Sequence, residues 1–326
     1  MRASIGLGLL FSLACRPADV AAPEAPTDPI ATPGEADESA PATGPTELRF
    51  AWESACTVET RTTLSGSEES AEYRQLLAIR PHPERDALVL SGAGVELLRY
   101  RGRDPADPAV QHGVARFLVT YSLPVEFVID RAGKLLDVHG IDAETLLGVA
   151  RKLRPLTPEA EDMVRILFKR QDIRDYFLYL AQREWSAWGS AWHGLTFTRG
   201  EERVVEDTVE IAGKALPRRT TMLHAGPAEA RGHVRLMFER IVEATREQVR
   251  DGGTLFQFEF GRPPLGERGT LITMQSFEQV ELVTDPATLR PLRVSYEWSR
   301  RVDGERTWFF KLVKEFTWPA RCGAGP

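Results

Sequence analysis

Apolar and polar residues alternate in steps of two along most of the chain. Leu48, Phe50 and Trp52 fall on one side of an extended segment, and the residues between them are polar or small. Residues 254–260 (TLFQFEF) alternate in the same way. Because successive side chains of a strand point to opposite faces, this pattern predicts half-buried antiparallel strands with one wet face.

Two hairpins are predicted from their turn residues. Residues 125–139 hold Asp-Arg-Ala-Gly between two apolar segments, and Gly133 can take the left-handed conformation that closes such a turn. The second hairpin has its turn at Asp303 and Gly304, between two segments rich in aromatic residues.

The aromatic residues favour one register for this second hairpin. A three-residue loop that ends at Gly304 pairs Trp298 with Trp308 and Tyr296 with Phe310. A two-residue turn would instead place a lysine on the aromatic face, and a slip of one residue moves every side chain to the other face. We therefore expect the longer loop.

Three helices are predicted between the strand-rich parts of the chain. Asp142 can cap a helix over residues 143–153, Pro158 is suited to the first turn of a second helix, and Asp172 can cap a third.

The third helix carries Trp185, Trp188 and Trp192 at helical spacing. The favoured interpretation is that they pack on the sheet. In the alternative they form the mouth of a site for an apolar ligand. Together with the aromatic residues of the last hairpin, they make up the candidate face for an apolar ligand or a partner: Trp185, Trp188, Trp192, Tyr296, Trp298, Trp308 and Phe310.

These elements predict an α+β fold in one globular domain over residues 47–322, followed by a tail at 323–326. The expected architecture is a curved antiparallel β-sheet, in two β-rich halves, packed against a central group of helices.

The N-terminal residues 1–14 have the plan of a secretory signal peptide. Arg2 precedes twelve apolar or small residues, which as a helix would span roughly 18 Å, too short for a hydrocarbon core of about 30 Å. Residues 15–46 are rich in proline and acidic residues and contain no aromatic residue. We expect this segment to be a disordered spacer.

The end of the leader, Ala14-Cys15, resembles the signal of bacterial lipoproteins, although Ser12 and Leu13 stand in exchanged order relative to the usual pattern. The resemblance implies cleavage before Cys15 and attachment of diacylglycerol to its thiol, which anchors the protein in a membrane of the cell envelope. Arg16, in place of aspartate, favours the outer membrane. Cleavage by the ordinary signal peptidase remains the alternative.

The two other cysteines, Cys56 and Cys322, lie near the ends of the predicted domain. In an oxidising compartment we expect them to form a disulfide, which requires the first and last strands to be close. Two unpaired thiols are the alternative.

Charge and motifs exclude several function classes. The net charge is −6, and most of it lies in the spacer, so the domain lacks the basic face that nucleic acid requires. None of the six histidines lies in a metal-binding motif, and no catalytic or cofactor-binding motif occurs, so we expect no metal, no cofactor and no catalytic residue. Scattered carboxylates could still serve a hydrolase.

The order of elements, with residues 280–298 (VELVTDPATLRPLRVSYEW), is similar to that of the LolA/LppX-like lipoprotein carriers. This resemblance implies a curved sheet that holds acyl chains under helices, and it carries over no functional residue. The leading hypothesis is a non-catalytic, membrane-anchored envelope lipoprotein that binds an apolar ligand, such as lipid, or an envelope partner. The alternatives are a secreted hydrolase and a structural or assembly component of the envelope.

Overall fold

A computed structural model describes residues 44–67, 69–121, 125–153, 157–211, 213–230, 232–263 and 272–322. The predicted signal peptide, Cys15, nearly all of the spacer and the predicted tail lie outside the described residues. Among the residues described, no helix combines the length and the apolar character needed to cross a bilayer.

Thirteen strands are described. They are β1 (Thr46–Glu47), β2 (Cys56–Gly66), β3 (Ser70–Pro81), β4 (Ala87–Tyr100), β5 (Glu126–Asp130), β6 (Leu135–His139), β7 (Thr196–Phe197), β8 (Glu202–Ile211), β9 (Lys214–Pro227), β10 (Val234–Thr245), β11 (Thr273–Thr284), β12 (Pro291–Val302) and β13 (Glu305–Thr317).

The helices are shorter and fewer. They are α1 (Gln111–Tyr121), α2 (Ala143–Leu153), α3 (Pro158–Lys169), α4 (Gln171–Trp185), α5 (Arg246–Asp251) and α6 (Gly253–Phe260). A π-helical turn, Ser186–Ser190, continues α4.

Eleven of the strands form one antiparallel sheet in the order β6-β5-β4-β3-β2-β13-β12-β11-β10-β9-β8. The order describes two meanders, β2 to β6 and β8 to β13, that are joined where β2 pairs with β13. The short strands β1 and β7 pair separately.

One face of this sheet carries most of the core, and a small cluster of Ala87, Val89 and Val128 is buried on the other. Three apolar clusters lie on the first face: a central cluster around the tryptophans of α4 and the turn after it, a second under α1, and a third under α6. Along β2, residues facing this side are buried and those facing the other side are exposed. The predicted alternation with one wet face is therefore confirmed along β2.

The predicted alternation is wrong for residues 48–52, which connect β1 to β2 without forming a strand, although Leu48, Phe50 and Trp52 are buried.

The expected fold class is wrong. The protein is mostly β, and both strand-rich parts belong to one sheet because β2 and β13 pair at its centre. The helices are few and do not form a central group. α1, α4 and α6 contact strands at separate places on the sheet, whereas α2 and α3 pack against neighbouring helices.

Two local predictions are also wrong. Residues 254–260 form α6 and not a strand. Phe256 and Phe260 lie four residues apart, on the same side of a helix, and both are buried. A capping box between Thr245 and Gln248 begins the preceding helix, which turns this segment of the chain away from the sheet.

The last hairpin has a different register from the expected one. Asp303 and Gly304 both have positive φ (49° and 87°), as a two-residue turn requires. A bulge just before the turn then shifts the pairing, so that Trp298 lies opposite Phe310 and not Trp308. Because of the bulge, the aromatic residues of the predicted pairs, from both strands, still lie on one face of the hairpin. The length of the turn alone does not predict this register.

Other local predictions are confirmed. Gly133 has a positive φ (82°) in the turn between β5 and β6. The backbone N–H of Thr145 donates to Asp142 Oδ1 (2.9 Å), so Asp142 caps α2.

The predicted cap of the third helix is wrong. This helix begins at Gln171 after Arg170, and not after Asp172.

The structure brings Cys56 and Cys322 to disulfide-bonding distance, with their Cα atoms 4.6 Å apart. Cys56 is the first residue of β2, and Cys322 follows the end of β13. The bond therefore clasps the strand pair that joins the two meanders.

We expect Cys322→Ser to lower the free energy of unfolding by up to about 5 kcal/mol, because the bond closes a loop that spans nearly the entire domain and so restricts the unfolded chain. Urea denaturation of the oxidised wild type and the variant measures this difference. Under a reductant the two proteins should unfold together. Equal stability in oxidising buffer would show that the bond does not form.

Candidate functional site

The main polar feature inside the described fold is a group of four charged side chains between the sheet and its helices, here called the ionic cluster: Arg183 from α4, Arg240 from β10, Glu259 from α6 and Glu278 from β11. It occupies the strip between the central cluster and the cluster under α6. On β11, for example, Met274 belongs to the α6 cluster and Val280 to the central cluster.

Arg183 is the hub of the ionic cluster. Its Nη1 donates to Glu259 Oε1 (2.8 Å), and its Nε lies 3.0 Å from Glu278 Oε2. Its guanidinium also stacks over the Trp298 ring, 4.7 Å from the ring centroid. The side chains of Arg183 and Glu259 are only 4% and 0% exposed. One arginine therefore ties two helices and two strands together.

The second arginine completes the charge balance. Arg240 lies directly opposite Glu278 in the ladder between β10 and β11, and its Nε is 3.2 Å from Glu278 Oε2. Ser276 donates to Glu259 Oε1 (2.6 Å) and accepts from Trp298 Nε1 (2.8 Å). Two positive and two negative groups thus neutralise one another inside the protein.

Electrostatics keep the Arg183 guanidinium charged. Burial, the largest influence, acts to lower the pKa of Arg183, but the carboxylates of Glu259 and Glu278 outweigh it and hold the pKa well above its ordinary value. Burial, reinforced by the Glu259 carboxylate, raises the pKa of the nearby Tyr179 phenol to about 12. The ionic cluster thus lies beside a phenol, that of Tyr179, which stays neutral at physiological pH.

The sequence analysis missed the ionic cluster, although its signal is present. Arg240 falls on the buried face of β10 between Phe238 and Val242, and Glu278 falls on the buried face of β11. A charged residue at an inward position of a strand is rarely buried without a partner. Two opposite charges on neighbouring strands are such a pair, but sequence does not reveal that the strands are adjacent.

The three helix tryptophans lie in the central cluster. Trp185, Trp188 and Trp192 are 1%, 6% and 0% exposed, and they pack against rings such as Trp52 and Phe316. The three tryptophans therefore pack in the core on the sheet, as the favoured interpretation expects.

The hairpin residues of the candidate face are divided between environments. Trp298 and Phe310 are buried, whereas Tyr296 and Trp308 are half-buried. Trp298 and Trp308 contact edge to face (5.2 Å between centroids), and Tyr296 and Phe310 contact similarly (6.4 Å). The seven aromatic residues therefore do not form one continuous exposed face.

No group of three or more metal-binding side chains occurs within the described ranges. His224, the most deeply buried histidine described, lies on β9. Burial lowers the pKa of His224 and keeps its ring neutral.

We expect Glu278→Ala to lower the free energy of unfolding by about 3–5 kcal/mol, because it leaves the guanidinium groups of Arg183 and Arg240 buried without one of their counter-charges. Urea denaturation measures the loss.

Glu281→Ala on the same strand is the matched control. Glu281 pairs with Arg235 at 3.6 Å and is 38% exposed, so its removal should cost less than about 1 kcal/mol. Equal losses for the two variants would contradict a structural role of the ionic cluster.

Comparisons with known proteins assign no family to the chain. A scan against protein-family models matches none, and a search of curated proteins finds no match. The functional conclusion therefore rests on the sequence and geometry of this chain.

Proposed function

We propose that this protein is a non-catalytic, lipid-anchored protein of the cell envelope whose folded domain binds a partner protein. The observation that carries the proposal is the pairing of Cys56 with Cys322. Structural disulfides persist in oxidising compartments, which agrees with an exported chain. In this proposal the signal peptide directs export of the chain, and the lipid on Cys15 anchors it in the membrane.

The spacer gives the anchored domain its reach. Treated as a flexible chain, residues 17–46 have a mean span of about 30 Å, and fully extended they reach about 90 Å. A domain held on such a spacer can search the space above the bilayer for a partner. Arg16 favours the outer membrane as the anchoring site.

The ionic cluster argues for a non-catalytic role. In a carboxylate hydrolase, one acid must give up a proton and the other must face the substrate. Glu259 and Glu278 instead share the guanidinium of Arg183, and both are almost completely buried. Both carboxylates therefore face an arginine inside the core and not a substrate.

The aromatic core argues for a partner protein over an apolar ligand. Trp185, Trp188 and Trp192 make their contacts with other rings of the central cluster. Their apolar surface therefore already stabilises the fold. The surface that remains exposed on the sheet is rich in charged pairs, such as Arg61 with Glu72, and suits a polar protein surface better than an acyl chain.

Cys15→Ser tests the anchor. We expect the wild type to sediment with membranes and the variant to move to the soluble fraction, because a serine cannot carry the thioether-linked lipid. Mass spectrometry of the native N-terminal peptide should show an acylated Cys15.

Cys322→Ser is the control, since it removes a cysteine without touching the anchor. This variant should remain with the membranes. An unmodified native N-terminus, or unchanged membrane attachment of Cys15→Ser, would contradict the proposed anchor.

A further inference from the structure

One end of the eleven-stranded sheet is the ten-residue strand β8, which pairs with β9 on one side. Within the described ranges no strand covers its other side. The opposite end of the sheet, β6, has only five residues. An unpaired strand edge presents a row of amide and carbonyl groups to which another chain can bind. β8 is therefore the longer of the two sites for strand addition.

The register identifies the groups that face outward. Ile211 and Lys214 pair on either side of a two-residue turn, and such a closing pair exchanges hydrogen bonds. At the other end of the ladder, His224 N–H donates to Glu201 O (3.2 Å). Since hydrogen-bonded pairs alternate along an antiparallel ladder, the backbone groups of the even-numbered residues of β8 point away from β9.

Over residues 204–208 the side chains of β8 are exposed on both faces. Val204 and Val205 point to opposite faces and are 45% and 49% exposed. Natural proteins often protect a sheet edge with lysine or proline, and β8 contains neither.

The charge of β8 indicates what kind of segment would bind. Glu202, Glu206 and Glu210 share the outer face with Val204, at intervals of four residues. Arg219 of β9 lies opposite Glu206 and offsets part of this charge.

The remaining charges of β8 already have partners. Asp207 forms an ion pair with Arg218, and Arg203 forms one with Glu201. The net acidic stripe on the outer face is thus left to attract a cationic chain.

Two other occupants are disfavoured by charge. Residues 17–46 of the spacer contain six acidic residues and no Lys or Arg, so the glutamates of β8 would repel this segment. In an antiparallel dimer formed through two copies of β8, the outward-pointing even-numbered residues must lie opposite one another. The register centred on Glu206 then places Glu206 opposite its own copy and Glu202 opposite Glu210, and like charges directly opposite are destabilising.

We propose that β8 is the partner-binding site, and that it adds to its sheet an extended segment of an envelope protein in which Lys or Arg alternates with β-branched residues. The basic side chains lie beside Glu202, Glu206 and Glu210, and the apolar ones lie beside Val205 on the inner face. Backbone hydrogen bonds supply affinity, and the acidic stripe supplies selectivity. The inference rests on the proposed partner-binding function and locates its site.

The test uses the full-length protein in detergent and a fluorescent ten-residue peptide of alternating Lys and Val, with binding read by fluorescence anisotropy at physiological salt. We expect saturable binding. A Glu-Val peptide of the same length should not bind. Thr208→Pro removes an outward-pointing N–H and leaves the hydrogen bonds with β9 in place, so it should weaken binding about tenfold or more.

Charge variants separate selectivity from general electrostatics. Glu206→Lys should also weaken binding about tenfold. The matched control is Glu59→Lys, an exposed position on the central strand β2, which changes net charge equally. This variant should bind as the wild type does.

A change on the peptide avoids any effect of proline on folding. The Lys-Val peptide with alternate backbone amides N-methylated keeps its charge and loses ladder donors, so it should not bind the wild type. Three results would overturn the inference. They are equal affinity for the Lys-Val peptide and its N-methylated form, equal effects of Glu206→Lys and Glu59→Lys, and the absence of saturable binding. Membrane attachment through Cys15 does not depend on β8, so the proposed anchor is tested separately.

Discussion

The pairing of β2 with β13 is the contact on which the rest of the structure depends. Each strand is the inner edge of a meander, and their ladder from Gly66 and Phe310 to Glu59 and Thr317 turns two small sheets into one. Because the two meanders share one sheet, all three apolar clusters lie on the same face. The other face is exposed along β2, as an antiparallel sheet allows, whereas the small cluster around Val89 is buried on that face of β4 and β5. The cysteine pair secures this junction just beyond one end of the ladder.

Few helices cover the sheet, and two kinds of contact hold them there: aromatic packing and the ionic cluster. Arg183 and Glu259 come from the helices, and Arg240 and Glu278 come from the sheet, so their ion pairs fix α4 and α6 at a defined place on the strands. Buried ion pairs are weak evidence for net stability, since desolvation offsets their attraction. Their effect is on position, because moving either helix away from the strands would leave buried charges without their partners.

Local features of the fold were predictable from the sequence, and their combination was not. The turn at Gly133 and the cap at Asp142 depend on neighbouring residues, and both predictions are confirmed. The interval between Phe256 and Phe260 fits one face of a strand and of a helix alike, so that segment was assigned to the wrong element. The α+β assignment failed because periodicity detects helices and strands but not the β2–β13 pairing. For the same reason, the sequence did not reveal that Arg183 and Arg240 are the partners of Glu278.

The position of β13 has a consequence for the order of folding. Neighbouring strands within each meander are close in sequence and can pair early, whereas β2 and β13 stand at opposite ends of the domain. Contacts of such high sequence separation form slowly, because a long loop must close first. β13 is also the last of the described strands to emerge during synthesis. The sheet therefore closes only when the whole chain is available, and oxidation of Cys322 marks the molecules that have completed this step.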